Sequence, residues 1–290
     1  KESIFALNID RVMGFIKKEN SQLKSADKKA QKGKKSRKSK LVIWIWTCFG
    51  SLVGLIYLFF ILIYNGVIGY MPSVEDIANP QNKYASFIYS ADGVEIGRYY
   101  AGSGNRIYSD MSEIPQHMID ALIATEDERF AEHSGIDARA LVRAIVKRGV
   151  LMQKNAGGGS TITQQLAKQF YSEQAGSVWE RLMQKPIEWV IAVQLERYYT
   201  KEEILTMYLN KFDFLNNAVG IKTAANTYFS KEPKDLNILE AATLVGMCKN
   251  PSYFNPRRFN ERAKGRRNVV LGQMVRAGHL SESEADSLMN

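Results

Sequence analysis

The chain has 290 residues, 45% of them hydrophobic, and carries 39 Lys and Arg against 30 Asp and Glu for a formal net charge of +9. That is enough for at least one domain with a real core plus a further segment. Two cysteines, Cys48 in an apolar run near the start and Cys248 far downstream, exclude a disulfide framework and a cysteine zinc site.

In chain order the first feature is KSADKKAQKGKKSRKSK, where Asp27 alone opposes a crowd of lysines and Arg37. It supplies most of the positive charge. LVIWIWTCFGSLVGLIYLFFILIY follows from Leu41 to Tyr64 without a charge, longer than the roughly 20 residues a helix needs to cross the hydrocarbon. A buried core helix is the alternative, but Trp44, Trp46, Tyr57 and Tyr64 suit interfacial anchoring of a transmembrane helix. The run is too long for a cleavable signal, and no small-residue cleavage site follows it. Lysine and arginine stay on the cytoplasmic side, so the N-terminus is expected inside and everything after about Tyr70 outside. Beside a span, membrane topology and anionic lipid explain the basic tract more simply than nucleic acid does.

Ser86 to Ala101, SFIYSADGVEIGRYYA, alternates and turns at Ala91-Asp92-Gly93, which predicts a small β-hairpin. Beyond it the signals are helical. Ser177 with Glu180, Thr200 with Glu203, Asn237 with Glu240 and Ser281 with Glu284 mark helix starts. Apolar stripes such as IEWVIAVQLERYY and ILEAATLVGM lie between them, so the outer part is expected to be mainly α. DARALVRAIVKRGVLMQK sets Leu141, Val142, Ile145, Val146 and Leu151 among Arg139, Arg143, Lys147, Arg148 and Lys154. This basic amphipathic pattern suits a membrane surface, and equally a helix with its apolar face in a core. Lys1 is not a Met and SESEADSLMN stops inside a helical pattern, so the chain reads as a piece of a longer one.

His117, His133 and His279 are scattered without ligand-spaced partners, and HExxH, CxxC and acidic calcium loops are absent, so no protein-built metal site is expected. GxSxG, Walker A and GxGxxG are absent too, which leaves acyl hydrolysis, ATP and dinucleotides without support. Three segments carry candidate chemistry. If EDERFAEHSGID is helical, Glu126, Phe130 and His133 share nearly one face and Asp127 points a quarter-turn away. A carboxylate beside an aromatic can take a proton from a sugar hydroxyl, although a solvated helix end has the same residues. GGGSTITQQLAKQ joins a glycine run to Ser160, Thr161, Thr163, Gln164 and Gln165, which suits hydrogen bonding to a polyol or phosphate or, alternatively, a loop and a helix cap. In QKPIEWVIAVQLE, Lys185 and Glu188 share a helix face, and Pro186 predicts that they sit near a helix N-terminus. There the lysine faces an anionic leaving group, or the two form an ordinary surface ion pair.

ATEDERFAEHSGID, GGSTITQQLAKQ, KPIEWVIAVQLE, TKEEILTMYLN and RRNVVLGQM resemble, in that order, the five motifs of the peptidoglycan glycosyltransferases. These are the transglycosylase modules of class A penicillin-binding proteins and their monofunctional relatives. The resemblance covers about Ile114 to Ala277. It implies a mainly α, lysozyme-like helical glycosyltransferase domain with a small β-hairpin, preceded by one transmembrane helix. The parts are then a cytoplasmic basic tail over 1–40, the transmembrane helix over 41–66, a linker with the β element over 67–113 and the glycosyltransferase domain over 114–290. That domain would stand on the outer face of the bacterial cytoplasmic membrane, with a hydrophobic region dipping into the bilayer.

The activity implied by the resemblance is polymerisation of lipid II with release of undecaprenyl pyrophosphate and inversion at C1. Glu126 matches the general base, Glu188 the second essential glutamate and Lys185 the base facing the diphosphate. Asp127, Phe130, His133, Ser160, Thr161, Thr163, Gln164, Gln165, Lys168 and Arg181 fall in the substrate-binding set. Lipid II, the growing lipid-linked glycan, membrane lipid and other cell-wall synthesis proteins are the implied partners, with no nucleic acid. No cofactor is required, though Mg or Mn can ride on substrate phosphate. Glu203 reads as half of a capping box, Tyr208 and Asn210 as packing and helix-end residues, and Arg266 and Arg267 as braces. Gln184 and Gln169 stand where the family has arginine and asparagine, Arg181 is one position out of register, and KFDFLNNAVGI lacks the usual glycine pair. A lysozyme-like lytic glycosidase and an inert membrane-anchored scaffold are the alternatives. SxxK occurs only as SQLK and SADK in the tail, so no penicillin-reactive serine is expected outside the membrane.

Overall fold

The computed structural model describes residues 2–78, 85–99, 105–150, 152, 158–171 and 178–290, with the backbone alone at 2–16, 20, 26–39, 148–150, 178, 179, 181 and 182. It divides into two compact units, Lys1–Ile61 and Leu62–Asn290. The first is a single helix: α1 runs from Glu2 to Tyr64, and the basic tract and the apolar run share it because no proline interrupts either. Its segment Lys40–Tyr64 has a mean hydropathy of 2.2 and is exposed along most of its length, with Ile63 buried near its end, and it is long and apolar enough to cross a membrane.

The second unit is mainly α, with one small antiparallel sheet. After α2 (Val74–Ala78), β1 (Ser86–Tyr89) pairs with β2 (Glu95–Tyr99), Ser86 opposite Tyr99, and Gly93 takes φ +81° at the expected turn. The helices that follow are α3 (Gln116–Glu126), α4 (Ala138–Ala144), α5 (Ile162–Tyr171), α6 (Val178–Tyr198), α7 (Lys201–Lys211), α8 (Ile221–Phe229), α9 (Ile238–Cys248), α10 (Asn260–Arg276) and α11 (Glu282–Met289). α10 packs on α9 and α3, and α5 packs on α6 and α7. α9 is buried along most of its length, which is why its sequence carries almost no polar side chain.

Reciprocal capping boxes start α7 at Thr200, α9 at Asn237 and α11 at Ser281, each satisfying two otherwise orphaned N–H groups. Ser177 lies outside the described residues, and α6 is already helical at Val178. Pro186 is not in a first turn. It falls in the middle of α6, so the expected helix start beside Lys185 and Glu188 is not there, and the helix tolerates one missing backbone bond.

The loop after Asn210 also has a physical account. Leu215, Asn216 and Asn217 take φ of 63°, 52° and 60°, a left-handed run that returns Val219 to bridge Asp213 and buries Phe212 and Phe214 in the core. Asparagine tolerates that region because its short amide can bond locally, so two asparagines serve where a glycine pair would. Gly220 is not replaceable, since a Cβ there would lie 2.8 Å from the Asn210 carbonyl oxygen.

Candidate active site

α3 ends at Glu126, and the following residues are not helical. Asp127 takes φ −159°, and the chain passes through one 3-10 turn at Phe130–Glu132. The expected single helix face is therefore replaced by a turn that separates the two carboxylates. Asp127 is buried and accepts from the Ile162 N–H at 3.1 Å, at the start of α5, while His133 Nε2 lies 3.0 Å from both of its oxygens. Phe130, also buried, meets His133 edge-on at 6.1 Å and lies under Lys201 Nζ at 4.2 Å. Those contacts hold the aromatic among Asp127's partners.

The turn is fixed from behind by Gly135. With φ +86°, a Cβ there would stand 2.7 Å from the Ala192 carbonyl oxygen, so only glycine lets the turn lie on α6. The Gly135 carbonyl accepts from Thr161 Oγ1 at 2.7 Å and Gln164 Nε2 at 3.2 Å. Asp137 caps α4 through the Ala140 N–H and pairs with Arg129. Burial opposes ionisation of Asp137, but the Ala140 N–H and the Arg129 guanidinium outweigh it and hold the carboxyl below its ordinary range.

Glu126 is held differently. Gln165 Nε2 donates to its Oε2 at 2.8 Å, and Arg266 Nη2 stands 4.0 Å from Oε1. Within the second motif, Thr161, Thr163 and Gln164 are almost wholly buried. Thr161 and Gln164 bond to Gly135, and Thr163 donates to Glu196 at 2.6 Å. Ser160 and Gln165 are half-buried, and Lys168 is exposed on α5. The block expected to offer itself to a sugar or phosphate thus has three of its side chains engaged inside the protein.

On α6, Lys185 Nζ donates to Glu188 Oε2 at 2.6 Å and to Ser160 Oγ at 3.2 Å. Glu188 is 2% exposed and the lysine side chain 46%, so this is a buried carboxylate under a half-open cation and not a surface pair. The backbone of Arg181 is in α6, and its side chain lies outside the described residues.

A cleft of about 170 Å³ is lined by Glu126, Ser160 and Thr161 together with Thr125, Arg129, Arg143 and Gln273. Thr125 Oγ1 and Gln273 Oε1 are buried with no hydrogen-bond partner among the described residues. The cleft adjoins a groove of about 570 Å³ carrying Arg129, Arg139, Arg143 and Arg276. Thr125, Gln273 and Arg143 were not singled out for the site from sequence. The only available signal was that Thr125 and Gln273 lie inside motif segments and that Arg139 and Arg143 are four apart on α4.

α4 and the π-helical turn after it, Ile145–Val150, leave Val142, Ile145 and Val146 60%, 59% and 43% exposed. The apolar residues of the amphipathic segment are thus not in the core, apart from Ala140. Leu151 and Lys154 lie outside the described residues.

The Lys185–Glu188 pair on α6 reaches Ser160, and Ser160 and the second carboxylate, Glu126, line one polar cleft with Arg129 and Arg143. Residues 92–275 match the family model described as Transglycosylase, and the chain belongs to that family. It is 37% identical over 255 residues to penicillin-binding protein 1F of Bacillus subtilis (strain 168), covering 87% of this chain and 34% of that one. To penicillin-binding protein 1A of Escherichia coli (strain K12) it is 38% identical over 237 residues, covering 82% and 26%. A crystal structure of penicillin-binding protein 1A from Haemophilus influenzae aligns with 72% of this chain and 20% of its own, at 26% identity and a TM-score of 0.39. The chain therefore spans between 26% and 34% of the length of these two curated relatives.

Proposed function

We propose that the chain is a peptidoglycan glycosyltransferase that polymerises lipid II into glycan strands and releases undecaprenyl pyrophosphate. The observation that carries this reading is one cleft holding Glu126 and Ser160, with Lys185, paired to Glu188, reaching Ser160 from α6. A base, a cation and a hydroxyl-bonding wall are thereby adjacent.

In this reading the acceptor's 4-hydroxyl oxygen attacks C1 of the donor, its proton passes to Glu126, and the bond from C1 to the diphosphate oxygen breaks with inversion. The diphosphate leaves as an anion, and a positioned lysine offsets the charge as it develops. Lys185 has that task, Glu188 holds it in place, and Arg143 adds positive charge at the rim. Thr125 Oγ1 and Gln273 Oε1, unpartnered among the described residues, bond the sugars. Asp127, Phe130, His133, Thr161, Thr163 and Gln164 shape the site from behind, and Ser160, Gln165 and Lys168 are on the substrate side, with Arg181 a substrate-binding candidate from its sequence position. Among the described residues no group of three His, Cys, Asp or Glu side chains is arranged to hold a metal ion. A divalent cation would arrive on the substrate's phosphates, and no step here runs through one.

The domain over 114–290 then acts on the outer face of the bacterial cytoplasmic membrane, tethered by the apolar helix over 41–66 with the tail over 1–40 inside, by the positive-inside rule. The exposed apolar side chains of α4 and the π-helical turn after it support contact with membrane lipid. Other cell-wall synthesis proteins are its partners. The test is incubation of the detergent-purified chain with lipid II and no nucleotide. Polymeric glycan is expected. Soluble muropeptides released from preformed glycan would select the glycosidase, and inertness the scaffold.

A further inference from the structure

Tyr208 is wholly buried in α7, yet its hydroxyl is engaged. It donates to Gln165 Oε1 at 3.0 Å, and Gln165 Nε2 donates to Glu126 Oε2 at 2.8 Å. One hydrogen-bonded chain thus runs from α7 through α5 to the last residue of α3. A carboxamide has one accepting end and one donating end of nearly the same shape, and what each end faces decides which way it points. A fixed donor behind Gln165 takes the carbonyl oxygen and leaves the NH2 for the carboxylate. Burial first, then Cys248 and Glu126, hold the phenol well above its ordinary range, so it keeps its proton and remains a donor.

We propose that Tyr208 is a positioning residue for sugar transfer, locking the Gln165 amide with its nitrogen toward Glu126 so that the carboxylate is held in one orientation. The proposal rests on Glu126 being the base. With Oε2 engaged by Gln165 and Arg266 beyond hydrogen-bond distance at 4.0 Å, Oε1 is the oxygen left to receive the acceptor's proton. Without the phenol the amide can turn, its carbonyl then faces the carboxylate, and that fraction of molecules holds the base badly. Packing alone would need the ring of Tyr208 but not its hydroxyl.

The experiment is a double-mutant cycle on the full chain with lipid II. Tyr208→Phe keeps the ring and is expected to lower kcat by about tenfold with KM unchanged and a thermal midpoint only a few degrees lower. Gln165→Ala is expected to lose at least as much, and Tyr208→Phe added to Gln165→Ala to lose nothing further, because both act through one amide. A wild-type kcat for Tyr208→Phe, or losses that multiply in the double variant, would overturn the proposal. Glu126→Gln separates this from the underlying reading. If that variant is dead while Tyr208→Phe is normal, only the positioning role falls; if it turns over, the base assignment falls and takes the positioning role with it.

Discussion

Residues 127–137 and 138–147 adjoin in the chain and are both rich in charge, yet the structure treats them in opposite ways. In the first stretch Asp127, Arg129, His133 and Asp137 all have partners, and the turn is clamped to α5 and α6. In the second, Arg139, Arg143 and Lys147 have no hydrogen-bond or ion-pair partner among the described residues, and Val142, Ile145 and Val146 face outward. A charged or apolar side chain braces a fold when another element packs within reach of it. Where nothing does, it remains free for a ligand or a lipid, at little cost to stability.

The comparison can be broken most sharply just before the braced stretch, at the last residue of α3. Glu126→Gln is expected to reduce glycan synthesis by about a thousandfold while lipid II still binds, read by product gels and by a binding assay. Ordinary turnover would remove the base from the end of α3. Asp127→Asn, one residue on, belongs to the braced stretch. It should lower the free energy of unfolding by about 2 kcal/mol in a denaturant titration, because a charged acceptor to the Ile162 N–H and His133 is lost. An undiminished stability would say that the clamp on α5 is made elsewhere.

A smaller effect is expected in the open stretch. Ile145→Glu should change stability by no more than about 0.5 kcal/mol, since the side chain is already exposed, yet reduce synthesis in liposomes severalfold relative to detergent. Equal activity in both would remove the lipid contact from this segment. The last change is pH-dependent and bears on stability alone. The Asp137 carboxyl is held below its ordinary range, so its stabilisation is complete above the unfolded carboxyl's value near 4 and is lost as pH falls through the lower folded value. Asp137→Asn should therefore cost about 1 kcal/mol at neutral pH, with the gap from the unaltered chain closing in acid.

What could be read without coordinates was local. The apolar run, the hairpin turn and the three capping boxes at Thr200, Asn237 and Ser281 depend on residues a few positions apart, and each stands where the pattern put it. The motif segments were legible too, as was the pairing of Lys185 with Glu188, three apart on one helix.

Tertiary structure decided which member of each segment does what. Asp127 and Glu126 part company because the partner of Asp127 is an N–H at Ile162, far along the chain, and that contact turns the backbone out of α3. Tyr208 reads as packing until Gln165 is seen against its hydroxyl, and Pro186 reads as a helix start until α6 is seen running through it. Periodicity reports only the neighbours along a helix or strand. The direction of a buried polar group is set by whatever distant element packs against it, and one sequence position carries no record of that.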